Sequence, residues 1–128
     1  MPDRAAITDL GDGRERRAFP VATLAGGDPL AVTCLVLHGD RPGPTVGVSA
    51  TIHGDEFEGV LIVRELWRTL QRRDLAGTLW LLPVANPTAL GTLTRNTPVD
   101  HLDLNRNFPG AVDGWLSEQL AAVITREF

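Results

Sequence analysis

The hydrophobic and polar positions of this chain fall into runs of two different periods. Phe19 to Leu24 and Leu30 to Leu37 are apolar and β-prone, and Gly26-Gly27-Asp28-Pro29 between them predicts a hairpin. Arg41-Pro42-Gly43-Pro44 predicts a turn that ends the second strand. Thr45 to Ile52 is nearly all small or apolar, as expected of a central strand buried on both faces. From Glu56 to about Arg73 the period becomes helical, with Phe57, Val60, Leu61, Leu66, Trp67 and Leu70 on a common side. Arg64, Arg68, Arg72 and Arg73 decorate the outer face and the last turn, where cations suit the helix dipole, and read as a solvated face. Gly77 to Ala85 is the next apolar run, so strand, helix and strand predict a right-handed βαβ unit with a parallel pair. Asn86 to Gly110, broken by Pro87, Gly91, Pro98, Pro109 and Gly110, reads as one long irregular segment of the kind that is usually functional. A second amphipathic helix is predicted from about Asp113 to Phe128, with Trp115, Leu116, Leu120, Val123 and Ile124 on or near one face. Residues 1–17 are polar and rich in Asp, Arg and Gly, and read as a loose lead-in. The fold class that follows is α/β: a mixed, largely parallel sheet flanked by helices.

Composition narrows the class. A length of 128 residues suits one domain with one core. The net charge of −4, from 12 basic and 16 acidic residues, argues against nucleic acid as a partner. Cys34 is the single cysteine, so no internal disulfide can form, and its neighbours Val32, Leu35 and Val36 mark it as a buried strand thiol. The first residues lack the apolar core of a signal peptide, and no run reaches the length of a membrane span. The expectation is a soluble cytoplasmic protein with no membrane partner.

Candidate chemistry concentrates where the third apolar run ends. His53-Gly54-Asp55-Glu56 delivers an imidazole at the end of a strand and a carboxylate three residues later, across a turn on glycine. Strand ends of open α/β sheets are where side chains converge on a rigid platform, and this His and Glu can reach one metal ion. A plainer reading stands beside it: Asp55 as a helix N-cap with Glu58 as its capping-box partner, and Glu56 at the positive end of the dipole. The long segment adds Asn86-Pro87, Arg95 and Asp103-Leu104-Asn105-Arg106-Asn107-Phe108-Pro109-Gly110. Arg and Asn offer fixed donor geometry that suits planar carboxylates and developing oxyanions.

Taken in order, with His53 and Asp103 about fifty residues apart, these blocks resemble the succinylglutamate desuccinylase/aspartoacylase family, relatives of the zinc carboxypeptidases. The resemblance runs from about Thr45 to Gly110. It implies a zinc-carboxypeptidase-like fold and a zinc-dependent deacylase that cleaves the amide bond of an N-acyl amino acid or similar small molecule. By the same resemblance His53 and Glu56 are zinc ligands, Arg95 polarises the scissile carbonyl and holds the oxyanion, and Asn105 and Arg106 bind a substrate carboxylate. Thr97-Pro98-Val99-Asp100 is similar to the subgroup that includes N-acetyl-diaminobutyrate deacetylases. A catalytic zinc takes three protein ligands and lowers the pKa of its water to about 7, and a Glu then serves as general base. The family's third His lies on the strand after the last predicted helix, past Phe128. The resemblance therefore implies a catalytic domain incomplete at its C-terminus, which alone binds zinc poorly and does not turn over. His38 and His101 read as surface or structural residues, and Glu58 as a cap rather than the base. Two rivals remain: a zinc carboxypeptidase acting on peptide C-termini, and a non-catalytic fragment or binding module. The mark of the second would be a His53 bonded to backbone instead of facing Glu56.

Overall fold

Asp12 (φ 51°) and Gly13 (φ 67°) form the two-residue turn of a hairpin in the computed structural model, which describes residues 5–128. Asp-Gly supplies the two positive φ angles that a right-twisted hairpin needs. The strands it joins are β1 (Ala6–Gly11) and β2 (Arg14–Thr23), paired antiparallel. The loose lead-in expected over residues 1–17 is thus an ordered hairpin from Ala6 onward, and residues 1–4 lie outside the described residues. Every residue of β1 is exposed, so backbone pairing rather than apolar burial holds it.

The second hairpin forms as the glycines predict. Leu24 N–H donates to Asp28 O (2.8 Å), Gly27 takes φ 89°, and β3 (Pro29–His38) returns antiparallel to β2. β4 (Arg41–Ser49) then leads through α1 (Glu58–Thr69) to β5 (Ala76–Leu82), which pairs parallel to β4 and antiparallel to β3. The sheet order is β1-β2-β3-β5-β4. The sheet is mixed, but only the β4–β5 pairing is parallel, which corrects the expectation of a largely parallel sheet. Short hairpin turns can only join antiparallel strands, and one helical crossover supplies the single parallel pair.

Two further expectations change. Arg41 to Pro44 is the start of β4 instead of a closing turn. The Thr45 run is an edge strand among the described residues, exposed along almost all its length, not a central one buried on both faces. Its small, apolar composition is that of a central strand, yet only its β5 side is paired.

The sheet carries a core on each face. On one side Val63, with Leu66, Trp67 and Leu70 around it, covers Leu37, Leu79 and Leu81. On the other, α3 (Leu116–Glu127) lays Leu116, Leu120, Ala121, Val123 and Ile124 over Phe19, Val21, Val32, Cys34 and Val36. Trp115, expected near that apolar face, precedes the helix and is 70% exposed. Cys34 is fully buried, as its neighbours imply. Arg14 ties the α1 layer to the sheet: its guanidinium donates to Trp67 O and Leu70 O, both at 2.6 Å, and lies 4.4 Å from the Trp67 ring centroid. The segment expected to be irregular holds a short helix, α2 (Pro87–Thr92), and a single 3-10 turn at Leu104–Arg106. No helix among the described residues is long and apolar enough to cross a membrane.

Candidate metal centre

The end of β4 is sewn to the β5–α2 connection by backbone. Ala50 N–H donates to Leu82 O (2.9 Å), Ala85 N–H to Ala50 O (3.0 Å) and Asn86 N–H to Thr51 O (3.0 Å). Thr51 turns the chain with φ 56°, an outlier for a β-branched residue, and its buried hydroxyl has no hydrogen-bond partner. Gly54 N–H donates to Thr94 O (2.8 Å), and the turn lies so close to α2 that a Cβ at Gly54 would collide with the Ala89 backbone. His53 leaves this platform nearly enclosed, with 6% of its surface exposed.

Four of the side chains around it converge. His53 Nδ1 is 3.2 Å from Glu56 Oε1, and His53 Nε2 is 2.9 Å from Asp103 Oδ1. Arg95 Nη1 lies 3.4 Å from His53 Nδ1 and 3.8 Å from Glu56 Oε1, while its Nη2 donates to Asp103 Oδ2 at 3.1 Å. A carboxylate can only accept, so His53 Nε2 carries the proton of the hydrogen bond that Asp103 Oδ1 accepts. His53 thus faces Glu56 through Nδ1, not the backbone, with the Arg95 guanidinium leaning over the pair.

That arrangement fits zinc at two positions. Ligands at about 2.0–2.2 Å from one tetrahedral ion lie about 3.3 Å apart, close to the observed separation of Nδ1 and Oε1. A metal-ligating His almost always gives its other N–H to a carboxylate or carbonyl, which fixes the ring and its tautomer; Asp103 is in that place. Among the described residues no group of three or more His, Cys, Asp or Glu is arranged to hold a metal ion. His53 and Glu56 are therefore the two donors the chain brings together, with Asp103 taken up on the far side of the ring.

Asp103 is positioned by its own neighbourhood. Buried Leu104 anchors the 3-10 turn, Asp103 Oδ1 caps it by accepting from Asn105 N–H (2.9 Å), and Asn107 Nδ2 donates to Asp103 O (2.7 Å). Burial pushes the Asp103 carboxyl up, but the His53 and Asn105 hydrogen bonds and the His53 and Arg95 charges outweigh it and hold it below its ordinary value.

The predicted residues are thus distributed as follows. His53, Glu56 and Arg95 come together, and Arg95 is half exposed, free to face a ligand. Asn105 and Arg106 sit beside Asp103 on the 3-10 turn, both exposed, with Arg106 Nη1 only 3.4 Å from Asn105 O. His38 lies away from this cluster, 3.0 Å from Glu15 Oε1, and His101 is exposed on its loop. The capping reading of Asp55 and Glu58 fails: α1 starts at Glu58 with Phe57 at its N-cap and no side-chain cap, so Asp55 is too early. Sequence reasoning missed Asp103. The signal was available, since a ligand His needs a carboxylate partner and Asp103 opens the block already singled out.

A mixed sheet with a histidine–carboxylate corner at a strand's carboxyl end defines an α/β protein whose chemistry sits above that sheet. Residues 42–127 match the succinylglutamate desuccinylase/aspartoacylase catalytic domain, and the chain belongs to this family. Over 84 residues it is 37% identical to the N-alpha-acetyl-L-2,4-diaminobutyric acid deacetylase of Halomonas elongata, a match covering 66% of this chain and 25% of that protein. The crystal structure of an aspartoacylase family protein from Mesorhizobium loti superposes with a TM-score of 0.82 at 30% identity, over 98% of this chain and 40% of that one. The product-bound ectoine utilization protein EutE (DoeB) from Ruegeria pomeroyi gives a TM-score of 0.82 at 28% identity, over 96% and 39%. The chain therefore spans a quarter of the curated relative and about two fifths of the solved ones.

Proposed function

We propose that this chain forms the metal-binding corner of a zinc-dependent deacylase that hydrolyses the amide bond of an N-acyl amino acid. The observation that carries the reading is the 3.2 Å approach of His53 Nδ1 to Glu56 Oε1 with Asp103 holding the opposite ring nitrogen. His53 and Glu56 would hold zinc, which when bound supplies Lewis acidity and an acidified water. Asp103 accepts from His53 Nε2 and holds the ring in register. Arg95, half exposed and reaching both carboxylates, turns its guanidinium to the carbonyl oxygen of the scissile amide and stabilises the negative charge that grows there. Asn105 and Arg106, exposed beside Asp103 on the 3-10 turn, bind the substrate carboxylate as a donor pair. The products are a free amine and a carboxylate. The likeness to the Halomonas elongata deacetylase supports an acetylated diamino acid as the first substrate to try.

The test measures zinc affinity and amine release for the 128-residue chain and for a chimera that continues it with the matching C-terminal part of the Halomonas elongata enzyme. Each is compared with its His53→Ala form. Stoichiometric zinc and hydrolysis in the chimera, both abolished by His53→Ala, are expected, with weak zinc and no turnover in the chain alone. Zinc binding that ignores His53→Ala, or a zinc-loaded chimera inert toward N-acyl amino acids, overturns the proposal.

A further inference from the structure

Thr97-Pro98-Val99-Asp100 lies between Arg95 and Asp103, yet the side-chain hydrogen bonds and ion pairs of His53 and Glu56 go to other residues. The residues that do the holding there are buried and polar. Asn86, Thr97 and Ser117 are all fully buried, and they bond to one another. Asn86 Oδ1 accepts from Ala89 N–H (3.2 Å) and Thr88 Oγ1 (3.0 Å), which caps α2 and turns Nδ2 toward Thr97 Oγ1 (2.8 Å). The Thr97 and Ser117 hydroxyls are 2.7 Å apart, and Ser117 Oγ is 2.9 Å from Asp100 Oδ1. Each hydroxyl has one proton and the carboxylate can only accept. Asn86 Nδ2 donates to Thr97 Oγ1, and the Ser117 hydroxyl donates from the other side, its one proton shared between Thr97 Oγ1 and Asp100 Oδ1. Asp100 Oδ2 also accepts from Ser117 N–H (2.7 Å) at the start of α3, and Oδ1 accepts from Leu102 N–H (3.0 Å).

The same residues close the loop on itself. Thr97 N–H donates to Leu102 O (3.0 Å), His101 N–H to Thr97 O (2.8 Å) and Asn96 Nδ2 to His101 O (2.9 Å). A loop so closed brings its ends together, and its ends are Arg95 and Asp103, joined at 3.1 Å. A satisfied buried network specifies one arrangement because every alternative leaves a polar group unpaired in a poor solvent.

We infer that Asn86, Thr97, Ser117 and Asp100 are positioning residues: a buried hydrogen-bond relay between α2 and α3 that sets the Arg95–Asp103 distance and, through Asp103, the ring of His53. The inference rests on the proposed metal site for its purpose but not for its test. Its first readout is free of metal and substrate. In the 15N-labelled, metal-free protein, the exchange rate of the His53 Nε2 ring proton reports the Asp103 bond. Thr97→Val, Ser117→Ala and Asp100→Asn are expected to speed exchange of the His53 ring proton at least tenfold, while His38 is unchanged. Thr97→Ser, which keeps the hydroxyl, restores the wild-type signature.

A second measurement needs no variant. In the wild-type protein the Thr97 and Ser117 amides and the His53 ring proton should lose protection together as urea is raised, in one opening unit. Zinc affinity by chelator competition should fall 10–100-fold in the Thr97→Val form, the usual cost of disturbing a ligand's outer partner. If the folded variants keep the His53 ring-proton exchange rate, or if His53 opens independently of Thr97 and Ser117 in the wild type, the relay only stabilises the loop and the inference is wrong. If the signatures change as expected but no form binds zinc, the relay stands and the deacylase reading falls.

Discussion

Gly54 is the glycine on which the candidate site depends most directly, and Gly54→Ala measures that dependence. Its φ does not lie in the left-handed region, so the residue is not required for backbone conformation. The requirement is space: an added Cβ would stand 2.5 Å from Leu90 N and closer still to the Ala89 carbonyl. Those atoms belong to α2, whose Asn86 cap and Thr94 link leave it little freedom. Against the Ala89 carbonyl oxygen, ordinary contact requires about 1.5 Å of separation to be made up by moving one backbone against the other. Overpacking a rigid site costs about 1–3 kcal/mol and more when backbone blocks the relief, so a loss of about 3 kcal/mol is expected here. Total stability for a domain is about 5–15 kcal/mol, so the protein should still fold. Function is less tolerant, because a site must be held within about 0.5 Å. Zinc affinity should therefore fall at least tenfold. The assay is urea unfolding with zinc competition, and the control is Gly91→Ala, where a Cβ meets nothing within 4 Å. In α2 that change should stabilise by about 0.5–1 kcal/mol. If Gly54→Ala matches Gly91→Ala in both readouts, the close approach of the His53 turn to α2 does not constrain the site.

Other perturbations test the frame around it. Arg14→Lys keeps the charge but cannot reach Trp67 O and Leu70 O as a fork, and should cost about 1.5–3 kcal/mol in urea unfolding; an unchanged midpoint would show the α1 layer is held otherwise. The Arg17 hydrogen bonds at 2.7 and 2.9 Å hold the Glu15 carboxyl below its ordinary 4.5, against burial and with help from His38. A depressed folded-state pKa gives stability that is present above the ordinary value and lost as pH falls through the folded one. Glu15→Gln should accordingly cost about 0.5–1 kcal/mol at pH 7, and the difference from wild type should close on acidification; a difference that grows in acid contradicts the assignment. Burial pushes the Cys34 thiol up to about 11, so a disulfide reagent at pH 8 should label it only as fast as the protein unfolds. Rapid labelling of the native protein would place the thiol outside the core.

What the sequence made legible divides by distance along the chain. His53 and Glu56 are three residues apart across one turn, so their convergence could be read locally, and it is what the structure has. The β3 hairpin and the α1 crossover are likewise local and appear as read. The β1–β2 hairpin was missed because β1 buries no side chain; the Asp12-Gly13 turn held the only signal, and apolar periodicity could not carry it. β4 was misread because small apolar residues report that a strand tolerates neighbours, not how many it has. Asn86-Pro87 opens a helix that can be recognised afterwards, with a side-chain cap followed by Pro at the first helical position. Ser117 was out of reach in a different way. Its role depends on a partner twenty residues distant, and nothing in the local pattern names such a partner.

Thr51 carries one consequence beyond geometry. A β-branched residue held in the left-handed region, with its hydroxyl buried and unbonded, costs on the order of 1–3 kcal/mol, two residues before His53. Energy stored there is tolerated only while the surrounding bonds from Leu82, Ala85 and Asn86 over-determine the turn. Selection for thermal stability alone should therefore converge on position 51 before the core, glycine being the replacement that relaxes the backbone, and variants so obtained would reveal how much of the protein's stability has been exchanged for a fixed imidazole.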